Sequence, residues 1–252
     1  MKGMLIFKHA MSMVLRNWRE AVQIGLVPML ILFGFLVAIV GPEIFGFVQH
    51  VDPFGTEEVP SSALLAPIFW VFGAIILCAI WVFVGWHRFI LLGIYPKGWI
   101  PRPYLRAVLA YLARIFLLLL IGCFLLVLLT ILSAALLTMP GTGNMVIFCF
   151  YAIILIVFTR LSPILPAAAI GKNLKLVQAL AATKGANVDF LIVIGLCASV
   201  VVALALGVGL VERLVGGISI LLLISANLFL TLLAVSIVTT IYGHYVEKRP
   251  LT

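Results

Sequence analysis

Six continuous apolar runs alternate with short polar connectors along the 252-residue chain, at about 21–41, 63–86, 115–137, 145–168, 190–210 and 218–242. Each is at least about 20 residues long, enough for a helix rising about 1.5 Å per residue to cross a hydrocarbon core of about 30 Å. Barrel strands would alternate apolar and polar positions over about ten residues, whereas these runs are apolar throughout. The backbone must therefore satisfy itself as helix. The pattern predicts an all-α fold, a polytopic membrane helical bundle of six transmembrane helices, organised as one transmembrane domain over 1–252. The first run is longer than a signal-peptide core and follows an amphipathic start, so it reads as an uncleaved anchor.

The connectors carry a second pattern. Met4, Phe7, Met11, Val14, Leu15 and Trp18 recur at spacings of three and four, with Lys8, Ser12, Arg16 and Arg19 opposite, which predicts an interfacial helix over 1–20. Comparable stretches precede the third and fifth runs. One spans Pro103–Arg114 with Leu105, Leu109 and Leu112; the other spans Asn173–Ala186, where Leu174, Val177, Leu180 and Ala181 face away from Lys175 and Gln178. The ends of the even-numbered runs are also alike: Gly85-Trp86-His87-Arg88-Phe89, Phe158-Thr159-Arg160-Leu161 and Tyr242-Gly243-His244-Tyr245. Three hairpin repeats, each with a short cytoplasmic interfacial helix, account for both patterns. The ordinary amphipathicity of any short cytoplasmic loop accounts for the first pattern alone.

Composition narrows the class. Hydrophobic residues make up 65% of the chain and charged residues 10%, against roughly 45–50% apolar in an average soluble domain; mean hydropathy is +1.33. A soluble globular protein is excluded, and six spans with short connectors leave no room for a separate soluble catalytic domain. The formal net charge of +8 belongs to the connectors. Its basic residues are scattered and not gathered on one foldable surface, so anionic phospholipids are the expected partners and nucleic acid is not.

Fifteen of the 16 Lys and Arg residues fall on one side of the six spans and only Arg213 on the other, while Glu43, Asp52, Glu57, Glu58 and Glu212 lean the opposite way. Lys and Arg are retained on the cytoplasmic face during insertion, so both termini are expected in the cytoplasm of a bacterial inner membrane. Trp18, Trp86, Trp99, Tyr95 and Tyr104 fall at the inner interface, where amphipathic rings mark depth.

Few residues offer chemistry. Arg160 breaks the fourth run after only fifteen residues from Met145, so that a full span would enclose it, and an arginine at the bilayer centre costs at least about 2.5–3.5 kcal/mol unless it snorkels or finds a partner. It is expected to reach a lipid phosphate, with a pair to Asn227 or to a backbone carbonyl as the alternative. Pro163 and Pro166 break or kink the helix that follows. Arg160, Asn227, His87 and Arg88 are the candidate headgroup or polar-pocket residues. Gly195, Ser199, Ala203 and Gly207 recur every four residues, a small-residue stripe expected to serve helix packing, with a pore-lining or oligomer face as the lesser reading.

The runs contain no carboxylate, which argues against a proton relay or a cation-coupled carrier built on acids. His9, His50, His87 and His244 share no helix at metal-ligand spacing, and Cys78, Cys123, Cys149 and Cys197 read as small packing residues. No H-E-x-x-H, G-x-S-x-G or Gly-rich phosphate cradle occurs. No cofactor, metal or catalytic residue is expected.

The stretch Thr159-Arg160-Leu161-Ser162-Pro163-Ile164-Leu165-Pro166-Ala167, continuing to Gln178-Ala179-Leu180-Ala181-Ala182-Thr183-Lys184-Gly185, resembles a broad group of bacterial six-span inner-membrane proteins of unknown function. That group includes the membrane domain attached to some glycerophosphodiester phosphodiesterases. The resemblance implies a six-span layout and, in a chain without the soluble phosphodiesterase domain, no hydrolase activity. The expected function is a scaffold or lipid-interacting accessory role, with a membrane-protein partner or homo-oligomer as a further expectation. A small permease for a neutral or amphiphilic solute is the alternative, and an intramembrane enzyme ranks last.

Overall fold

A computed structural model of the chain describes residues 2–40, 62–96, 98, 102–136, 143–215 and 219–251. The run ends Gly41, Leu137 and Ile218 lie outside the described residues, as do Glu43, His50, Asp52, Glu57, Glu58, Lys97 and Trp99. In chain order the helices are α1 (Lys2–Arg16), α2 (Trp18–Val40), α3 (Ser62–Leu92), α4 (Leu105–Leu136), α5 (Gly143–Leu161), α6 (Ile164–Ala169), α7 (Leu176–Ala182), α8 (Asn187–Val215) and α9 (Ser219–Ile241). A π-turn over Tyr242–Val246 continues α9. Among the described residues there is no strand, and six helical segments are long and apolar enough to cross a membrane.

The amphipathic connectors take three different forms. The predicted second interfacial stretch is the first part of α4, which runs unbroken from Leu105. The third is confined to α7, whose buried side is Ala179 followed by Thr183; Val177 and Ala181, expected on the apolar face, are exposed. The first is a helix of its own, but its buried face is Gly3, Ile6, Ala10 and Val14. Met4, Leu15 and Trp18 of the expected interfacial face are exposed. A different face of α1 packs on α8 and α9, where Ile6 and Ala10 join Phe190, Leu233 and Ile237 in one apolar cluster.

The fourth run is interrupted. Ser162 and Pro163 form a turn after α5, because Pro163 has no amide hydrogen to continue the ladder. The short α6 that follows is almost wholly buried and packs on α3 and α4. It ends at Gly171, whose φ of +80° permits the left-handed closing residue. The amides of Gly171 and Lys172 then return to the carbonyls of Ala168 and Ala167 at 3.1 and 2.8 Å, a Schellman closure.

Burial concentrates at the end of the bundle that carries both termini, hereafter the basic end. There α9 is central, packing on α1, α3 and α8. Elsewhere large side chains such as Phe69, Phe148, Leu206 and Leu214 point outward, as expected where the solvent is hydrocarbon and helices gain by close packing more than by leaving the lipid. The closest approaches use isolated glycines: a Cβ at Gly3 would strike the Asp189 backbone, and one at Gly122 would lie 2.8 Å from the Phe158 ring.

Candidate functional site

The basic end holds the polar chemistry of the molecule in two layers. The inner layer is a hydrogen-bonded spine between α3, α4 and α9. The Trp86 indole donates to Ser236 Oγ at 2.8 Å. His87, with no exposed surface, lies 2.8 Å from Thr239 Oγ1 through Nδ1 and 3.2 Å from the Tyr111 hydroxyl through Nε2. Thr239 gives its own proton to the Val235 carbonyl at 2.7 Å, so it can only accept from the ring. That assigns the proton to Nδ1 and makes Nε2 the acceptor from Tyr111, a neutral imidazole bonded at both ends. A neutral, fully bonded group is what an apolar interior tolerates.

The outer layer is built from arginines that close helix ends. Arg88 Nη1 donates to the Ala169 carbonyl at the end of α6 at 3.0 Å. Arg160 Nη2 donates to the Leu180 carbonyl in α7 at 2.7 Å, with Nε 3.4 Å from Thr183 Oγ1. Arg249 Nη2 donates to the Leu91 carbonyl near the end of α3 at 2.9 Å. Carbonyls at a helix C-terminus have no intrahelical partner and carry partial negative charge, so a guanidinium there satisfies both needs. At the opposite kind of terminus, Asp189 in the first turn of α8 accepts from the Gly3 amide at 2.8 Å, joining the starts of α1 and α8.

Glu247 completes this layer between Lys172 and Arg249, at 2.8 and 2.6 Å. Burial alone would raise its carboxyl, but the bond from Lys172 and the two positive charges outweigh it and hold the group below the ordinary carboxylate range.

Arg88 has a further side. Its guanidinium lies 4.1 Å over the Tyr104 ring, and its Nε–H is buried without an acceptor among the described residues. A buried unpaired donor costs about 1–3 kcal/mol. The residue lines a notch of about 60 Å³ together with Arg102, Tyr95 and Tyr104, floored by Ile24 and Gly85.

The sequence candidates therefore separate. His87 and Arg88 are neighbours at the basic end. Arg160 makes the backbone-carbonyl bond that was the alternative expectation, to Leu180, and among the described residues no bond joins it to Asn227. Asn227 is exposed and donates to the Leu223 carbonyl of its own helix at 2.9 Å. Among the described residues no helix packs on the stripe Gly195, Ser199, Ala203 and Gly207: all four are exposed, and a Cβ at Gly195 or Gly207 would meet nothing within 4 Å. Among the described residues no three His, Cys, Asp or Glu side chains converge, and the four cysteines are free thiols.

Residues outside the expected set supply most of the geometry: Tyr111, Ser236 and Thr239 in the spine, Asp189 at the α1–α8 junction, and Arg102 with Tyr104 in the notch. The three-residue spacing of Ser236 and Thr239 was the signal available for the spine, since it sets both hydroxyls on one face of α9. Comparison of the chain with protein-family models, curated proteins and solved structures yields no match.

Proposed function

We propose that this chain is a non-enzymatic, lipid-interacting accessory or scaffold protein of a bacterial inner membrane, with its basic end and both termini in the cytoplasm. The observation that carries the reading is the contrast between a spine whose polar groups bind one another and a flank that carries an apolar groove. Trp86 and His87 spend their bonds on Ser236, Thr239 and Tyr111, so the spine offers no free groups to replace the water around a passing solute. On the flank, α4 and α5 touch where the Phe158 ring covers Gly122. Beyond that contact lies a groove of about 220 Å³ whose lining, including Leu128, Leu132, Phe150 and Ile153, is entirely apolar. Leu128 and Ile153 are half exposed, and a groove of this character suits an acyl chain.

The basic connectors support the same reading, since a Lys or Arg near an anionic membrane surface contributes about 1 kcal/mol each. The resemblance of the 159–185 stretch to six-span membrane domains enters the proposal on the same terms, without hydrolase activity. A permease for a neutral or amphiphilic solute is the second reading. Its support is an open basin of about 550 Å³ at the basic end, walled by Lys172, Glu247 and Arg249. Those three charges already pair with one another, which weakens that reading.

Native mass spectrometry of the protein extracted in mild detergent tests the proposal. Anionic phospholipid adducts that survive activation are the expected result. A lipid-free protein that carries neutral solutes across reconstituted vesicles would establish the permease instead.

A further inference from the structure

Resting on the lipid reading above, we infer that the notch between Arg88 and Arg102 is a phosphate-ester site that holds the headgroup phosphate of an anionic phospholipid. Size comes first. At about 60 Å³ the notch is far below the roughly 300–1,000 Å³ of an organic-ligand pocket, so it takes one small group and leaves the remainder of the molecule outside.

Charge chooses the group. Among the described residues, two guanidinium side chains and two phenols line the notch and no Asp or Glu does, which fits an oxyanion. Guanidinium is the side chain whose forked donors match phosphate oxygens. Arg88 is held in advance by the Ala169 carbonyl and by the face of the Tyr104 ring at 4.1 Å, so little rotamer freedom remains to be lost on binding. Its buried Nε–H has no acceptor among the described residues, and the guanidinium as a whole is not neutralised by a carboxylate there.

The surroundings choose the source. Leu92, Ile94 and Tyr95 beside the notch are 45%, 38% and 64% exposed, an apolar lip that free phosphate would not use and that glycerol and acyl chains would cover. Arg102 is exposed and acts as the movable second arm.

The test uses the full chain in detergent, titrated with phosphatidylglycerol or with inorganic phosphate and read by native mass spectrometry. Arg102→Gln is the primary variant, because an exposed side chain is lost without disturbing the fold. Arg88→Lys is the second variant; it keeps the charge but loses the fork. Lys175→Gln, exposed and remote from the notch, is the control. Each of the first two should weaken phosphatidylglycerol binding by about tenfold, with the control unchanged and inorganic phosphate failing to displace the lipid. Equal lipid binding by Arg102→Gln and the unaltered protein overturns the site while leaving the lipid reading intact. Full displacement by inorganic phosphate overturns the headgroup as its source. An unaltered protein that binds no phospholipid removes the reading on which the site rests.

Discussion

Replacing His87 by phenylalanine deletes two buried hydrogen bonds at once. Thr239 keeps its bond to the Val235 carbonyl, but the Tyr111 hydroxyl, 2% exposed as a residue, loses its acceptor. An orphaned buried donor costs about 1–3 kcal/mol, and thermal unfolding in detergent should fall accordingly for His87→Phe. Adding Tyr111→Phe should recover most of that loss, since both partners are then apolar. A double variant no more stable than the single one would show that the two residues are not coupled. In the neutral spine each polar side chain is met by a particular carbonyl, hydroxyl or ring nitrogen, whereas the buried Nε1 of Trp81 and Nε of Arg88 have no partner among the described residues. Sequence alone marked His87, Arg88 and Arg160 as unusual. It could not pair them, because Thr239, Ala169 and Leu180 lie in other helices.

Elements show the same division. Periodicity at three and four placed a helix at the start of the chain, and α1 is that helix. That periodicity marked an interfacial face and left the protein-facing side open: α1 docks through Gly3, Ile6, Ala10 and Val14, with Gly3 bringing its backbone against that of Asp189. Gly3→Ala tests this. The added methyl collides with the Asp189 backbone, and overpacking of this kind costs about 1–3 kcal/mol. A cysteine placed at Ala10, fully buried on the docked face of α1, should react several-fold faster with a maleimide in the Gly3→Ala background. Unchanged reactivity would mean that α1 does not depend on this contact. The stripe on α8 teaches the converse, for Gly195 and Gly207 have the right spacing and no neighbour among the described residues. Spacing identifies a surface capable of close approach, and only a facing helix makes it a contact.

At the scale of the whole molecule, burial and bonding gather at one end. The basic connectors meet there, with Arg88 on α6, Arg249 on α3 and Lys172 on Glu247. Single cysteines replacing Arg16 and Lys172 should both be labelled from the cytoplasmic side, and one replacing Arg213 from the opposite side. Labelling of Arg16 and Lys172 positions from different sides would overturn the proposed orientation. The number and approximate extent of the spans were determined by the sequence itself, because about 20 consecutive apolar residues have no other stable state in hydrocarbon than helix. Tertiary structure alone decided which face of each helix turns inward, where the fourth run breaks into a buried short helix, and which charges become fasteners. Hydrocarbon is as apolar as leucine, so hydrophobicity cannot choose among the faces of a membrane helix. That choice falls to shape and to the positions of a few polar atoms.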